Sequence, residues 1–236
     1  MNRDAQSILL VLLGAAITRI AADNTFEQYV RAGLRPWLIA AGVVLIAVGL
    51  YALVRENLRR FRGEHEPTEK LRVGWLLVLP VLAIFIVAPG ALGAYSASRG
   101  GGGVGAAPPD ANGFSPLPAG NPVSDTVRDF SQRALWDNAK TLHGRQITLT
   151  GFVTPRDGTT IYLTRMMITC CAADASPIKV TITGTIGKRP ANSWLKITGT
   201  YAGVDKAHLA DGDDPLPILH AQTVQSVSAP TNPYES

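Results

Sequence analysis

The chain has 236 residues, 46% hydrophobic and 17% charged, with a formal net charge of +4 and two cysteines. Soluble domains carry about a quarter charged residues, and here the excess positive charge lies in one half: residues 1–99 hold 11 Lys and Arg against 7 Asp and Glu, residues 100–236 hold 11 of each. This excludes a single soluble globule, a disulfide scaffold, and a nucleic-acid-binding domain, because the half without long apolar runs is neutral.

Three apolar stretches, at about residues 5–22, 34–54 and 73–97, predict three transmembrane helices within a membrane domain over residues 1–97. The second and third reach the ~20 apolar residues that a bilayer core requires. The first is shorter and holds Arg19, which a membrane helix would carry to the interface. A cleaved signal peptide is the other reading of that stretch, but Arg19 and Ile20 stand where small residues belong. Residues 55–72 contain Arg55, Arg59, Arg60, Arg62, Lys70 and Arg72, against Arg31 and Arg35 in the preceding loop. The Lys/Arg bias predicts a multi-pass protein with a cytoplasmic N-terminus and everything after the third span outside. Trp37, Trp75 and Tyr95 suit membrane interfaces, while Pro80 and Pro89 predict kinks in the third span.

Residues 98–123 are rich in Gly, Pro, Ala and Ser and predict a flexible linker. Residues 124–236 predict an extracytoplasmic domain. It opens with a helix: Ser124 is the expected N-cap, Val127, Phe130, Leu135 and Leu142 form the apolar face, and Gly144 ends the segment. Five short β runs follow, at about 146–153, 160–168, 178–186, 194–201 and 218–227. Together they predict an all-β, OB-like small barrel with one preceding helix. Gly151 and Gly199 lie inside strands, where glycine marks a bulge or tight bend. Trp194 is an expected core residue.

The two cysteines are adjacent, Cys170 and Cys171, just past the second β run. Four readings stand: packed core thiols, a strained vicinal disulfide, a thiolate site for a soft ion such as Zn(II) or Cu(I), or a redox dithiol. The last lacks the C-x-x-C spacing that lowers a thiol pKa. For a metal site, Asp174, His208, His220, Met166 and Met167 are the candidate further ligands. His143 reads as a packing or capping residue. The acidic run 211–214 reads as a solvated turn, since it lacks the Gly and Glu of a calcium loop. No hydrolase, zincin or nucleotide-loop motif is present.

The segment RMMITCCAADASP (165–177) resembles the hallmark of the YcgQ-like family of bacterial membrane proteins. LHGRQITLTGFV (142–153), SWLKITGTY (193–201) and the ending NPYES (232–236) resemble that family's barrel entry, its later Trp-containing strand and its tail. The resemblance implies a permease-associated protein of the bacterial cell membrane with zinc-linked regulation in some members. It maps Cys170, Cys171 and Asp174 onto a C-C-x-x-D motif and Arg165 onto the arginine before it. The expectation is therefore a non-enzymatic accessory subunit of a multi-helix permease whose vicinal cysteines bind or sense zinc or copper. A thiol–disulfide redox module and a purely structural partner are the alternatives.

Overall fold

The computed structural model describes residues 3–62, 90–103, 114–137, 140–156, 160–205 and 215–235. The chain divides into two compact units, Met1–Gly90 and Ala91–Ser236.

In the first unit, helix α1 (Arg3–Ala22) and helix α2 (Arg35–Phe61) are joined by two short 3-10 turns and pack on each other. Their seam is built from small residues. Ser7, Gly14, Gly42 and Gly49 are all buried; a Cβ at Gly42 would collide with Thr18 Oγ1, and one at Gly14 with the Gly42 carbonyl. Small side chains at these positions let the two backbones approach closely. The opposite faces expose Leu12, Leu13, Val43, Val44, Val48 and Val54.

Among the described residues, one helical stretch, Ala32–Arg59, is long and apolar enough to cross a membrane. At 1.5 Å per residue its length is about 42 Å, against a hydrocarbon core of about 30 Å. The three expected spans are thus not observed as three. The apolar part of α1, Gln6–Ala22, is shorter. Most of the third stretch, up to residue 89, lies outside the described residues. Its last part, residues 91–97, belongs to the second unit, where Ala94–Arg99 forms helix α3.

The second unit is a closed five-stranded β-barrel. Strand β1 (Val123–Ser124) adds in parallel to β2 (Gln146–Pro155). The barrel strands are β2, β3 (Ile161–Met167), β4 (Ser176–Thr183), β5 (Trp194–Asp205) and β6 (Leu216–Ser226). The circuit runs β2–β3–β4–β6–β5 and back to β2; every pairing is antiparallel except β4–β6. All five β runs expected from the sequence are present. Gly199 sits at a register shift between β5 and β6, where a Cβ would collide with the His220 carbonyl. At Gly151 a Cβ would stand 2.7 Å from the Thr164 carbonyl. Both glycines are there because strands cross too closely for a side chain.

Helix α4 (Val127–Trp136) touches all five barrel strands and buries Val127, Phe130 and Ala134 in the main core. Its N-cap is Thr126 rather than the expected Ser124, which lies in β1. The Thr126 Oγ1 accepts the Asp129 N–H at 2.9 Å. The helix ends at Trp136, and Leu142 reaches the core from the turn that follows.

A second, smaller core lies outside the barrel wall. There α3 and the C-terminal strand β7 (Tyr234–Glu235) bury Ala94, Ala97, Phe152, Met166, Ile168 and Tyr234. The described parts of the expected linker are docked on this unit. The Gly100 carbonyl accepts from Lys179 Nζ at 2.8 Å, Arg133 donates to the Ser115 carbonyl at 2.8 Å, and Leu117 is buried in the main core. Trp194 is only half-buried, with its ring edge-on to Phe152 at 5.7 Å.

A candidate dithiol metal site

Strand β3 runs out at Met167, and β4 starts opposite it at Ser176. The residues between make a tight turn organised by one side chain. Asp174 Oδ1 accepts the Thr169 N–H at 2.8 Å, and Oδ2 accepts those of Cys170 and Cys171 at 2.8 and 3.2 Å. The Asp174 N–H returns to the Cys171 carbonyl at 3.0 Å. A short carboxylate aimed back at successive amides is the local chemistry that lets Asp fix a turn.

The turn sets both thiols side by side at the surface. Cys170 is exposed, Cys171 half-buried, and both are free, with Sγ···Sγ at 3.7 Å. That excludes the packed-core reading for Cys170 and exceeds a disulfide bond of about 2.05 Å. Two thiolates at about 2.3 Å from a tetrahedral zinc stand about 3.8 Å apart; in a linear site with bonds of that length they stand roughly 4.6 Å apart. The observed spacing fits two corners of a tetrahedron.

The electrostatics keep the Cys170 thiol protonated. Hydrogen bonding to the Asp174 carboxylate, then to the Cys171 thiol, pushes the Cys170 thiol up from 9.0 to about 11. In turn the Cys170 thiol, followed by the Thr169 and Cys170 amides, holds the Asp174 carboxyl well below the usual carboxylate range. A neutral thiol beside a fixed carboxylate is a poor nucleophile and a slow redox partner, because exchange needs the thiolate. A divalent cation inverts that balance by replacing the protons it displaces.

Among the described residues, Cys170, Cys171 and Asp174 are the one group of such side chains close enough to share an ion, with ligand atoms within 4.8 Å of each other. The other expected ligands do not join them. Met166 is buried in the outer core and Met167 packs on the main core. His220 pairs with Thr183, its Nδ1 3.3 Å from Thr183 Oγ1. That is the far end of β4 from the cysteine turn, about 23 Å along the strand at 3.3 Å per residue. His208 and the acidic run 211–214 lie outside the described residues.

Residues 131–235 match the family model of the DUF1980 C-terminal domain. This chain carries that domain. The comparison with curated proteins returned no match. The DUF1980 domain as matched takes in most of α4, all five barrel strands, the cysteine turn and β7.

Arg165 serves the DUF1980 domain elsewhere than at the thiols. Its guanidinium is buried beneath β7, donates to the Asn232 and Tyr234 carbonyls at 3.2 and 3.3 Å, and lies 5.0 Å from the centre of the Trp194 ring. Burial lowers its pKa, and Glu235, 3.5 Å from Nε, works against that. Glu235 also accepts the first two N–H groups of α4, Val127 at 3.0 Å and Arg128 at 2.8 Å. Tyr234 completes the clasp, its hydroxyl accepting the Leu92 N–H at 3.1 Å. Sequence reasoning missed Glu235. The available signal was a lone Arg in an apolar strand, which needs an acid.

Proposed function

We propose that the protein is a YcgQ-like, membrane-anchored accessory subunit of a multi-helix permease. In this reading Cys170 and Cys171 bind or sense a thiophilic metal ion, zinc ahead of copper. The observation that carries the metal reading is the 3.7 Å spacing of two free, surface thiols, the bite of a tetrahedral ion. The DUF1980 match over residues 131–235 and the family-like tail support membership. The strand circuit, with its one parallel closure between β4 and β6, supports an OB-type barrel. The apolar helix Ala32–Arg59 and the exposed valines of α2 support a membrane anchor. Multi-pass topology with the barrel outside rests on the Lys/Arg bias. The permease partner rests on the family resemblance alone.

The test is metal analysis of the full chain, purified in detergent under reducing conditions, beside a Cys170→Ser/Cys171→Ser variant. The wild-type chain is expected to retain about one zinc that the variant lacks. Equal metal content in the two ends the metal reading. Co-purification from native membranes tests the permease. A reporter fused after Ser236 tests the topology and is expected to be active only outside the cytoplasm.

A further inference from the structure

We infer that the site is an open one: the chain gives the ion two thiolates, Asp174 stays outside the coordination sphere as a positioning residue, and the remaining positions take exogenous nitrogen or oxygen donors. The inference rests on the metal reading above and deepens it. Asp174 is engaged by the turn itself. Three backbone amides already use its carboxylate, and two of those amides belong to the cysteines it would have to join as a ligand. Swinging the carboxylate onto an ion would release the amides that hold the two sulfurs 3.7 Å apart. The side chain therefore acts through the cysteines: it sets the bite and the metal answers to the bite. The thiols meanwhile face outward, with Cys170 exposed and Asp174 exposed beside it. Met166 and Met167 are turned into the two cores. A tetrahedral ion on this dithiolate has two corners toward solvent, the arrangement of a site that keeps exchangeable positions rather than a closed structural one. The ligand class is a divalent, thiophilic ion arriving hydrated or as a small chelate, held as a ternary complex with whatever donors it brings.

Cobalt(II) substitution in the full-length protein reads this directly. The thiolate-to-cobalt charge-transfer band counts sulfurs, and the ligand-field bands report geometry. Wild type is expected to show two thiolates per tetrahedral cobalt. A bidentate nitrogen chelator at stoichiometric concentration is expected to shift the ligand-field bands while the charge-transfer band persists, as a ternary complex requires. Asp174→Asn, which keeps one acceptor oxygen, is expected to weaken cobalt binding about 10–100-fold, as loss of an outer-shell partner does, and to leave the saturated spectrum unchanged. A changed saturated spectrum in Asp174→Asn makes Asp174 a ligand and overturns the inference. So does a wild-type spectrum that the chelator leaves unshifted or simply abolishes. Absence of any cobalt or zinc binding in wild type overturns the metal reading itself, an outcome distinct from those two.

Discussion

Glu235 is the most consequential side chain outside the cysteine turn, and Glu235→Ala should unfold much of what it joins. The substitution strips two charge-assisted hydrogen bonds from the start of α4 and leaves the buried Arg165 without its carboxylate. Loss of a helix cap costs about 1 kcal/mol. Breaking a buried ion pair by deleting one partner costs about 3–5 kcal/mol; both side chains here are only 10% exposed. The two effects share one carboxylate and do not add fully, so the expected loss is about 3–5 kcal/mol. Glu235→Gln keeps an acceptor for one amide and should fall between. Arg165→Met with Glu235→Ala removes the stranded charge as well as the acid, and should be less destabilised than the two single losses summed. Urea unfolding of the full chain in detergent, followed by near-UV circular dichroism, gives the midpoint shifts. A Glu235→Ala cost below about 1 kcal/mol, or strict additivity in the double variant, would refute the clasp.

Other expectations follow from the same structure. Gly199→Ala drives a Cβ into the His220 carbonyl and should cost at least about 3 kcal/mol by forcing the backbone to shift; an unaltered unfolding midpoint would contradict it. Thr126→Ala removes the cap on Asp129 N–H and should cost about 1 kcal/mol by the same measurement. Burial, then the neighbouring Asp129, pushes the Asp125 carboxyl up from 3.8 to about 7. The folded state therefore keeps a proton between about pH 4 and 7 that the unfolded chain releases, so stability falls as pH rises through that window and is level beyond it. Asp125→Asn, which mimics the protonated form, should match wild type near pH 4 and exceed it by about 1 kcal/mol at pH 8, solvent screening having reduced the effect for a half-buried carboxyl. Equal pH profiles for the two proteins would sink that account.

The barrel was largely legible in the sequence because its signals are local. Alternation in residues 146–153 and 178–186, turn residues between the strands, and two in-strand glycines each report on a few neighbouring residues. The boundaries of its unit were not legible. Residues 91–103 look like the end of a membrane span and the start of a linker, yet Ala94 and Ala97 are buried and Lys179 reaches the Gly100 carbonyl. Small residues carry no apolar signal of their own. Their burial depends on β2, β3 and β7, which lie far along the chain. The same holds for the cap of α4. Ser124 and Thr126 are equal candidates by residue type, and only the pairing of Val123 and Ser124 with Ile147 and Thr148 takes Ser124 out of contention.

At the candidate site the limits of sequence were of another kind. The C-C-x-x-D spacing offers three candidate ligands, and the fold brings all three together. Spacing does not say which way a carboxylate faces, and Asp174 faces the amides of the residues it seemed to join. Arg165 reads as part of the same motif, but alternation along β3 and the return of the C-terminal strand carry it to Glu235. The motif thus contains two devices that are contiguous in the chain and separate in purpose. Cys170, Cys171 and Asp174 shape a dithiol at the end of β3. Arg165, earlier in β3, fixes the strand β7 whose Glu235 carbonyl accepts the Ile168 N–H at 3.0 Å. Ile168 leads into the cysteine turn, so the clasp anchors the base from which the thiols project. On the proposed metal reading that predicts an order of effects: a clasp variant that still folds should lower metal affinity by loosening the turn, while a Cys170→Ser/Cys171→Ser variant should leave the unfolding midpoint of the metal-free chain unchanged. Loss of metal-free stability in the cysteine variant would mean that the thiols are part of the packing after all.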